Sequence, residues 1–283
     1  MFSIVSWNIQ YGKGVDGIIN LARIADAIHK DGLPDILCLQ EVSRNDPEIE
    51  NGNDQANELK ALFPNYNHFF GASYDRFVGN QKKRKQFGNL ILTLHSPIQV
   101  LHHLLPSPAD PEARFMSRQV TEMIINTGYN TFRMMNTHLE FHSEKQQIAQ
   151  ILRIKDLHKE ACQQYNNPGI DKQNTPFEIV NREEKMIICG DFNFTVESKP
   201  YEIMTEPMPK DIIDLVDVWE VIYSKEPHAS TCGLYDQKQW KEGPHCRDYF
   251  FLSKILEKKV KKFLINTETR ASDHQPIRLI IDL

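Results

Sequence analysis

Short apolar runs recur along the whole chain, and each is long enough for a β-strand but too short for a typical helix. Helical periodicity lies between several of these runs. Leu21, Ile24, Ala25 and Ile28 repeat along one face of a helix, and Ser143 can cap a second helix that extends to about residue 164. Strands that alternate with helices restrict the chain to the α/β class. The clearest strand-like runs cover residues 2–9, 35–42, 89–94, 119–125, 131–137, 185–190, 248–252 and 276–282.

Other segments suggest how these elements connect. The turn-rich residues 126–130 join two strand-like runs and predict a hairpin, and residues 200–204 and 215–222 are typical of short helices. Residues 166–184 are polar and contain two prolines, which indicates a surface insertion. Helices after some strands and hairpins elsewhere predict an α/β sandwich of two packed mixed sheets with helices outside. We expect one domain over residues 1–283.

Composition and charge limit the classes of function. With 283 residues, 40% of them hydrophobic and 25% charged, the chain can bury a sizeable core. Its formal net charge of -5 argues against a protein that binds nucleic acid through an overall basic surface. Local basic runs occur at residues 82–85 and 258–262. Each is either a solvated loop or strand edge, or a rim that attracts phosphate.

The cysteines and the N-terminal residues bear on location. There are five cysteines without C-x-x-C spacing, and Cys38 and Cys189 lie inside apolar runs, so we expect free thiols, a reducing compartment and no structural zinc. The N-terminal residues lack the pattern of a secretory signal, and no apolar run is long enough to span a bilayer. The expectation is a cytoplasmic monomer that does not associate with membranes.

Polar clusters end six of the apolar runs, and a strand holds its terminal residue rigidly enough for several strands to aim at one point. Asp, Glu, Asn and His are the side chains that phosphate-ester hydrolysis with a hard cation requires. Each cluster alone has an ordinary explanation. His138 is equally typical of a core histidine, Asp191 of a turn cap, and Asp248 of a partner for Arg247 or Lys254. Six such clusters in one chain favour a shared site.

The clusters resemble the motifs of the endonuclease/exonuclease/phosphatase superfamily, in the order that this superfamily has them. The resemblance extends from about residue 6 to residue 276, and it includes a Gly-Asn-x-Ile-Leu-like strand at residues 87–92. Gly-Asp-x-Asn together with Ser-Asp-His is its most specific part. The matching segments are Ser-Trp-Asn at 6–8, Leu-Gln-Glu-Val at 39–42, Asn-Thr-His-Leu at 136–139, Gly-Asp-Phe-Asn at 190–193, Asp-Tyr-Phe-Phe at 248–251 and Ser-Asp-His-Gln-Pro at 272–276.

The resemblance implies a four-layer α/β sandwich and a set of roles. It implies Glu41 as the main ligand of Mg²⁺, or of Mn²⁺ as an alternative, with Asn8 and Asp273 close to the ion. Asp191 and His274 would lie around the attacking water. The resemblance further implies Asn193 and His138 on the phosphate, and Asp248 behind His274.

The motifs leave the substrate open. Val42 and Ser43 stand where abasic-site endonucleases have a different pair, and inositol-phosphatase signatures are absent. We therefore expect a Mg²⁺-dependent phosphoesterase acting on a phosphate ester or phosphodiester, with a nucleotide or single-stranded nucleic acid as candidate substrates. The alternatives are a DNA or RNA nuclease and an inactive binding protein on the same fold.

Residues 69–86 combine aromatic with basic side chains and have two interpretations. They include Phe69, Phe70, Tyr74 and Phe77, together with Arg76 and the basic run 82–85. They either stack on an unpaired base and contact phosphate, or form core and a solvated loop.

Overall fold

The computed structural model describes residues 1–79, 83–128, 130–224 and 226–283. In this part of the chain, two mixed sheets of six strands each form the centre of the molecule. The strands are β1 Phe2–Asn8, β2 Ile36–Arg44, β3 Asn67–Phe77, β4 Arg84–Thr93, β5 Pro97–Leu104, β6 Gln119–Asn126, β7 Thr131–His138, β8 Met186–Asp191, β9 Leu215–Asp217, β10 Asp248–Ser253, β11 Val260–Ile265 and β12 Ile277–Ile281. The α-helices are α1 Leu21–Lys30, α2 Gln55–Leu62, α3 Glu144–Asn166, α4 Lys199–Thr205 and α5 Val218–Tyr223.

The strand order explains why both sheets are mixed. The first sheet has the order β11-β12-β1-β2-β4-β3, and the second has the order β5-β6-β7-β8-β10-β9. In each sheet one central pair is parallel, β1 with β2 and β7 with β8, because α1 and α3 respectively connect the two strands of the pair. The other strand pairs are antiparallel.

Three apolar clusters hold the layers together. The inner faces of the two sheets enclose one cluster, in which Ile4 and Cys38 of the first sheet meet Met134, Ile187 and Cys189 of the second. A second cluster fills the space between the first sheet and α1 and α2, and a third lies between the second sheet and α3 and α4. The result is the four-layer α/β sandwich that the sequence predicts, with helices outside.

Local signals account for the helices that flank the site. The Asn20 side chain accepts a hydrogen bond from Ala22 N at the start of α1, and Ser143 Oγ accepts one from Gln146 N at the start of α3. The predicted cap at Ser143 is therefore confirmed, and so is the helical face of Leu21, Ile24, Ala25 and Ile28, all of which are buried.

The structure corrects one predicted helix and confirms one predicted hairpin. The helix predicted over residues 215–222 is wrong at its start, because Leu215–Asp217 pairs with β10 as a strand and the helix begins at Val218. The hairpin predicted around residues 126–130 is confirmed by the antiparallel pairing of β6 with β7, although Tyr129 lies outside the described residues. Residues 167–185 contain no helix or strand, as expected of an insertion.

No helix in the described ranges is both long enough and apolar enough to cross a membrane.

Candidate active site

The ends of neighbouring strands bring the predicted polar residues to one edge of the sandwich. His138 ends β7, Asp191 ends β8 and Asp248 begins β10, and Asp191 is the register partner of both others. Asn8 ends β1 beside Gln40 of β2 in the facing sheet. The register of the strands alone therefore sets where the Cα atoms of these residues lie.

Asp191 lies at the centre of this cluster. Its Oδ2 accepts a hydrogen bond from Asn8 Nδ2 at 2.9 Å, and the Nε2 atoms of His138 and His274 lie 3.5 and 3.6 Å from the same oxygen. Its Oδ1 accepts from Asn193 N at 2.9 Å. Asn8, Asp191 and the two histidines are each less than a tenth exposed, so this geometry is set by the protein rather than by solvent.

A second carboxylate orients His274. Asp248 Oδ2 lies 2.8 Å from His274 Nδ1 and also accepts a hydrogen bond from Thr231 Oγ1. This contact fixes the ring and turns Nε2 toward Asp191. Of the two ordinary explanations for Asp248, pairing with Arg247 or with Lys254, neither applies among the described contacts, since its partners are His274 and Thr231.

The two histidines differ in charge. Burial and the nearby Arg118 guanidinium lower the pKa of His138 to about 3, so this imidazole is neutral near neutral pH. Burial also opposes the charged form of His274, but the carboxylates of Asp248 and Asp191 outweigh it and raise its pKa well above the usual value. One site thus contains a neutral and a charged imidazole on either side of one carboxylate.

Unusual backbone conformations aim two of the side chains. Glu41 has a φ of 59° and lies in a β-bulge, where the register of β2 against β4 shifts between Leu39 and Val42. Asn193 has a φ of 56° just after β8. Positive φ in non-glycine residues is costly and concentrates at functional sites. Gly190 precedes Asp191 because a Cβ there would lie 1.9 Å from Thr137 O.

Besides the groups around Asp191, the site contains two further carboxylates, those of Glu41 and Asp273. Glu41 Oε1 accepts a hydrogen bond from Asn8 Nδ2 at 3.0 Å, and Glu41 lines the same cavity as Asp273. Burial and the negative charge of Asp273 raise the pKa of Glu41 to about 7. Burial, among other effects, also raises the pKa of Asp273. Enclosed oxygen ligands that repel one another suit a hard divalent cation, so the residues present fit the ion that the resemblance implies.

The ligand atoms of Asp191, Asp248 and His274 also lie within 4.8 Å of one another. His274 Nδ1 is already paired with Asp248, however, so the three side chains are engaged with one another. All eight residues that the sequence singles out therefore come together at one edge. They are Asn8, Glu41, His138, Asp191, Asn193, Asp248, Asp273 and His274.

A cavity of about 530 Å³ opens over these groups. It adds residues that the sequence reasoning missed. Arg118 directly precedes β6 and is 5% exposed. Its Nη1 has no hydrogen-bond partner among the described residues. Its Nε donates to Glu140 Oε2 at 3.4 Å, and Glu140 Oε1 accepts from the backbone N–H groups of Phe141 and His142, which also line the cavity. No sequence pattern marks a single arginine before a strand as a site residue, because only the fold turns its side chain toward the cavity.

The aromatic and basic segment 69–86 forms most of the hairpin of β3 and β4. Tyr74 stacks on Phe87, and it is Phe87 that lines the cavity. Arg84 is ion-paired with Asp75 at 3.2 Å, and Lys85 with Asp46 at 3.2 Å. Lys82 of the basic run lies outside the described residues. Among its described residues, segment 69–86 lines this cavity with none of its own rings, and it reaches the cavity wall only through the stacking of Tyr74 on Phe87.

A two-sheet α/β sandwich with a carboxylate and histidine site at its strand ends is an architecture suited to phosphate-ester chemistry. The profile of the Endonuclease/Exonuclease/phosphatase family matches residues 5–274, and the chain belongs to this family. A comparison with curated proteins finds no match.

Solved structures share the fold at low sequence identity. An endonuclease/exonuclease/phosphatase from Bacteroides vulgatus is 19% identical, with a TM-score of 0.68 over 100% of this chain and 98% of that one. A mannosyl-6-phosphatase from Bacteroides thetaiotaomicron is 17% identical, with a TM-score of 0.66 and full coverage of both chains. The 3' phosphatase NExo from Neisseria, bound to product DNA hairpin, is 16% identical, with a TM-score of 0.62 and full coverage of both chains.

Proposed function

We propose that the chain, as a single domain, hydrolyses a phosphate ester by attack of water, with a divalent cation, Mg²⁺ or Mn²⁺, as cofactor. The observation that supports this most strongly is the arrangement around Asp191. Its Oδ2 faces Asn8 Nδ2 and two histidine Nε2 atoms, next to the enclosed carboxylates of Glu41 and Asp273. Such an arrangement supports metal-assisted hydrolysis, which needs acid–base groups close to a bound cation.

Glu41 and Asp273 would hold the cation, with Asn8 orienting Glu41. When bound there, a divalent cation supplies neutralisation of phosphate charge and stabilisation of the leaving oxygen. Asp191 Oδ2 would accept a hydrogen bond from the attacking water and so hold it in position. Asp191 would also accept the proton that this water loses on attack. The charged His274, kept in orientation by Asp248, would direct its Nε2–H at the same carboxylate and so hold it in place.

Arg118, His138 and Asn193 would bind the phosphate. A buried guanidinium N–H without a protein partner is rare and expensive, and a phosphate oxygen in the cavity would satisfy it. His138, being neutral, would donate one hydrogen bond without adding charge. Donors fixed in advance where negative charge develops are among the largest contributions to catalysis.

The walls of the cavity favour a small or single-stranded substrate. A volume of about 530 Å³ fits one small molecule or one nucleotide unit. Phe87, Met116 and Phe141 provide apolar surface, while Arg114 and His142 add basic side chains to it. The net charge of -5 does not favour long duplex DNA, which gains affinity through many phosphate contacts.

A nucleotide-directed phosphatase or nuclease is the second candidate. The neighbour with a DNA hairpin as product supports it, and so does the aromatic wall, because bases stack on such rings. The neighbouring mannosyl-6-phosphatase supports a sugar phosphate instead.

Hydrolysis assays with a panel of substrates test the proposal. The panel contains p-nitrophenyl phosphate, bis-p-nitrophenyl phosphate, mannose 6-phosphate, a 3'-phosphorylated single-stranded oligonucleotide, short RNA and plasmid DNA, each with Mg²⁺, with Mn²⁺ and with a chelator. We expect cation-dependent turnover of at least one small or single-stranded substrate, and almost none for Glu41→Gln. Asp156→Asn, which removes an exposed carboxylate from α3, is the matched control and should behave as wild type.

Two outcomes would contradict the proposal. Full activity in the presence of chelator would remove the cation from the reaction. Absence of turnover on every substrate, with binding retained, would favour an inactive binding protein on the same fold.

A further inference from the structure

The outer oxygen of Asp273 carries an unusual number of hydrogen bonds. Its Oδ2 accepts from Gln239 Nε2 at 2.8 Å, from Trp240 Nε1 at 3.2 Å and from Gln10 Nε2 at 3.3 Å. Gln10 Nε2 also donates to Gln239 Oε1 at 2.9 Å, so the two amides support each other. Three donors on one oxygen leave it little capacity for another ligand.

The inner oxygen of the same carboxylate has different surroundings. The Ser272 hydroxyl can donate only one hydrogen bond. Its Oγ lies 2.7 Å from Asn8 O and 3.2 Å from Asp273 Oδ1, so we assign its hydrogen to Asn8 O. Within the described residues, Oδ1 therefore keeps its lone pairs available. Asp273 offers one oxygen to a cation and directs the other to the protein.

The donors Gln239 and Trp240 belong to a compact turn, residues 236–243. Lys238 N and Gln239 N both donate to Asp236 Oδ1 at 3.1 Å, and Trp240 N donates to Asp236 O at 3.0 Å. The turn therefore fixes itself through Asp236 and Trp240, independently of the strands that carry the other site residues.

Packing fixes the tryptophan further. Trp240 is 4% exposed. The centroid of its ring lies 5.6 Å from that of the His274 ring in an edge-to-face arrangement, and the Arg247 guanidinium lies 5.0 Å from the Trp240 ring centroid. Gln239 and Trp240 also line the cavity. The segment that binds Asp273 Oδ2 is thus also part of the wall that a substrate would contact.

We propose that the turn of residues 236–243, together with Gln10, positions Asp273 so that only Oδ1 serves as a cation ligand. Because the trio of Asp191, Asp248 and His274 is already paired within itself, we further propose that the site holds one divalent cation. This rests on the proposed function, which requires a cation but sets no number. Gln10 and Gln239 are neutral amides whose N–H groups point at Oδ2. A second cation on that side would face donors instead of oxygen ligands. Partners that orient a ligand typically change cation affinity about 10–100-fold when removed.

Direct binding of Mn²⁺, without substrate, tests this inference. Titration calorimetry and the electron paramagnetic resonance signal of free Mn²⁺ give the number of ions and the Kd. We expect one ion per wild-type chain. Trp240→Phe keeps an aromatic ring but removes the Nε1–H donor, and Gln239→Ala removes the nearest donor, so each should raise the Kd by about tenfold or more. Lys238→Ala, an exposed change in the same turn, is the matched control and should bind as wild type.

Thermal unfolding in chelator separates positioning from folding, since a positioning role predicts a raised Kd with little change in the Tm of the cation-free variants. Gln10→Glu replaces a neutral amide donor beside Asp273 Oδ2 with a carboxylate, and it should allow a second ion to bind. Two equivalent ions on the wild type, or unchanged Kd values in both Trp240→Phe and Gln239→Ala, would overturn the inference and leave the proposed function intact. Absence of any Mn²⁺ binding would instead overturn the proposed function.

Discussion

Glu122 is a fully buried carboxylate and Glu41 a partly buried one, and their neighbours have opposite effects. Glu122, on β6 beneath α3, receives hydrogen bonds from Arg133 and from Arg182, and its Oε2 lies 2.7 Å from His103 Nε2. Burial favours its neutral form, yet these partners lower its pKa to about 2. For Glu41, burial acts together with the negative charges of Asp273 and Asp191, and the pKa is raised to about 7.

The positive charges around Glu122 have partners of their own. Arg133 Nη2 donates to His158 Nδ1 at 2.7 Å, and His158 Nε2 donates to Ile213 O at 2.9 Å. The polar groups of this cluster thus find hydrogen-bond partners within the protein, and these contacts connect β6, β7 and α3. The site edge does not satisfy its charges, since it keeps four carboxylates close together and leaves Arg118 Nη1 without a described partner.

Whether a buried charged cluster has all its partners within the protein indicates whether it serves folding or function. A buried charged cluster whose groups all have partners within the protein contributes to folding. A cluster whose groups lack such partners is less favourable by itself, and a bound ligand can supply the missing interactions. We therefore expect changes in the two clusters to have opposite consequences.

The largest expected effect is on folding, at Glu122. Glu122→Gln leaves Arg133 and Arg182 buried without a counter-charge, and breaking a buried ion pair in this way typically costs about 3–5 kcal/mol. Urea unfolding monitored by circular dichroism measures it, with Asp156→Asn as the control. Activity per folded molecule should stay near that of wild type, and a stable variant with lost activity would invalidate the distinction between the clusters.

The second effect is on catalysis, at Asp191 and His274. Alanine at either should lower kcat by about 10²–10⁴-fold, the usual contribution of an acid–base group. The free energy of unfolding should change little in the presence of saturating cation. The double variant should lose hardly more than one single variant, because both residues act on one water. Additive losses would assign them to separate steps.

The sequence predicted the site better than its surroundings. Asn8, His138 and Asp191 end strands and Asp248 begins one, so a polar residue directly beside an apolar run is sufficient to find them. The positive φ of Glu41 was beyond sequence reasoning, because a bulge depends on the pairing partner. The motif alone located it.

Other features depend on contacts between distant segments. Arg118 lies before β6 without a pattern, and Trp240 lies in a loop with ordinary turn residues. Their importance arises from Glu140 and Asp273, which are far away in the chain. The strand Leu215–Asp217 was mistaken for helix because its apolar spacing suits both, and only its pairing with β10 decides.

The third prediction reverses the sign of the first. In cation-free protein at about pH 8, Glu41→Gln should raise the free energy of unfolding by on the order of 3 kcal/mol, because it removes a carboxylate whose raised pKa reports unfavourable charge. Denaturation in chelator measures the gain. Saturating Mn²⁺ should reverse the order, with wild type more stable than the variant. If the variant were less stable than wild type in chelator as well, Glu41 would have a structural role.

The smallest effect is a dependence on pH in the complete cluster. Burial and the nearby Arg133 guanidinium lower the pKa of His158 to about 4, against 6.5 for the ordinary group. The unfolded chain therefore takes up a proton at His158 before the folded chain does, so this contribution to stability is fully present above pH 6.5 and is lost as pH falls toward about 4. At about pH 5 the loss should be on the order of 2 kcal/mol relative to about pH 8. His158→Gln offers an acceptor for Arg133 and a donor for Ile213 O but does not titrate. In chelator, its unfolding free energy should fall less steeply than that of wild type across this range, while Asp156→Asn should follow wild type. Identical slopes for wild type and His158→Gln would mean that His158 takes up its proton in the folded state as well, and that the cluster around Glu122 tolerates an additional positive charge.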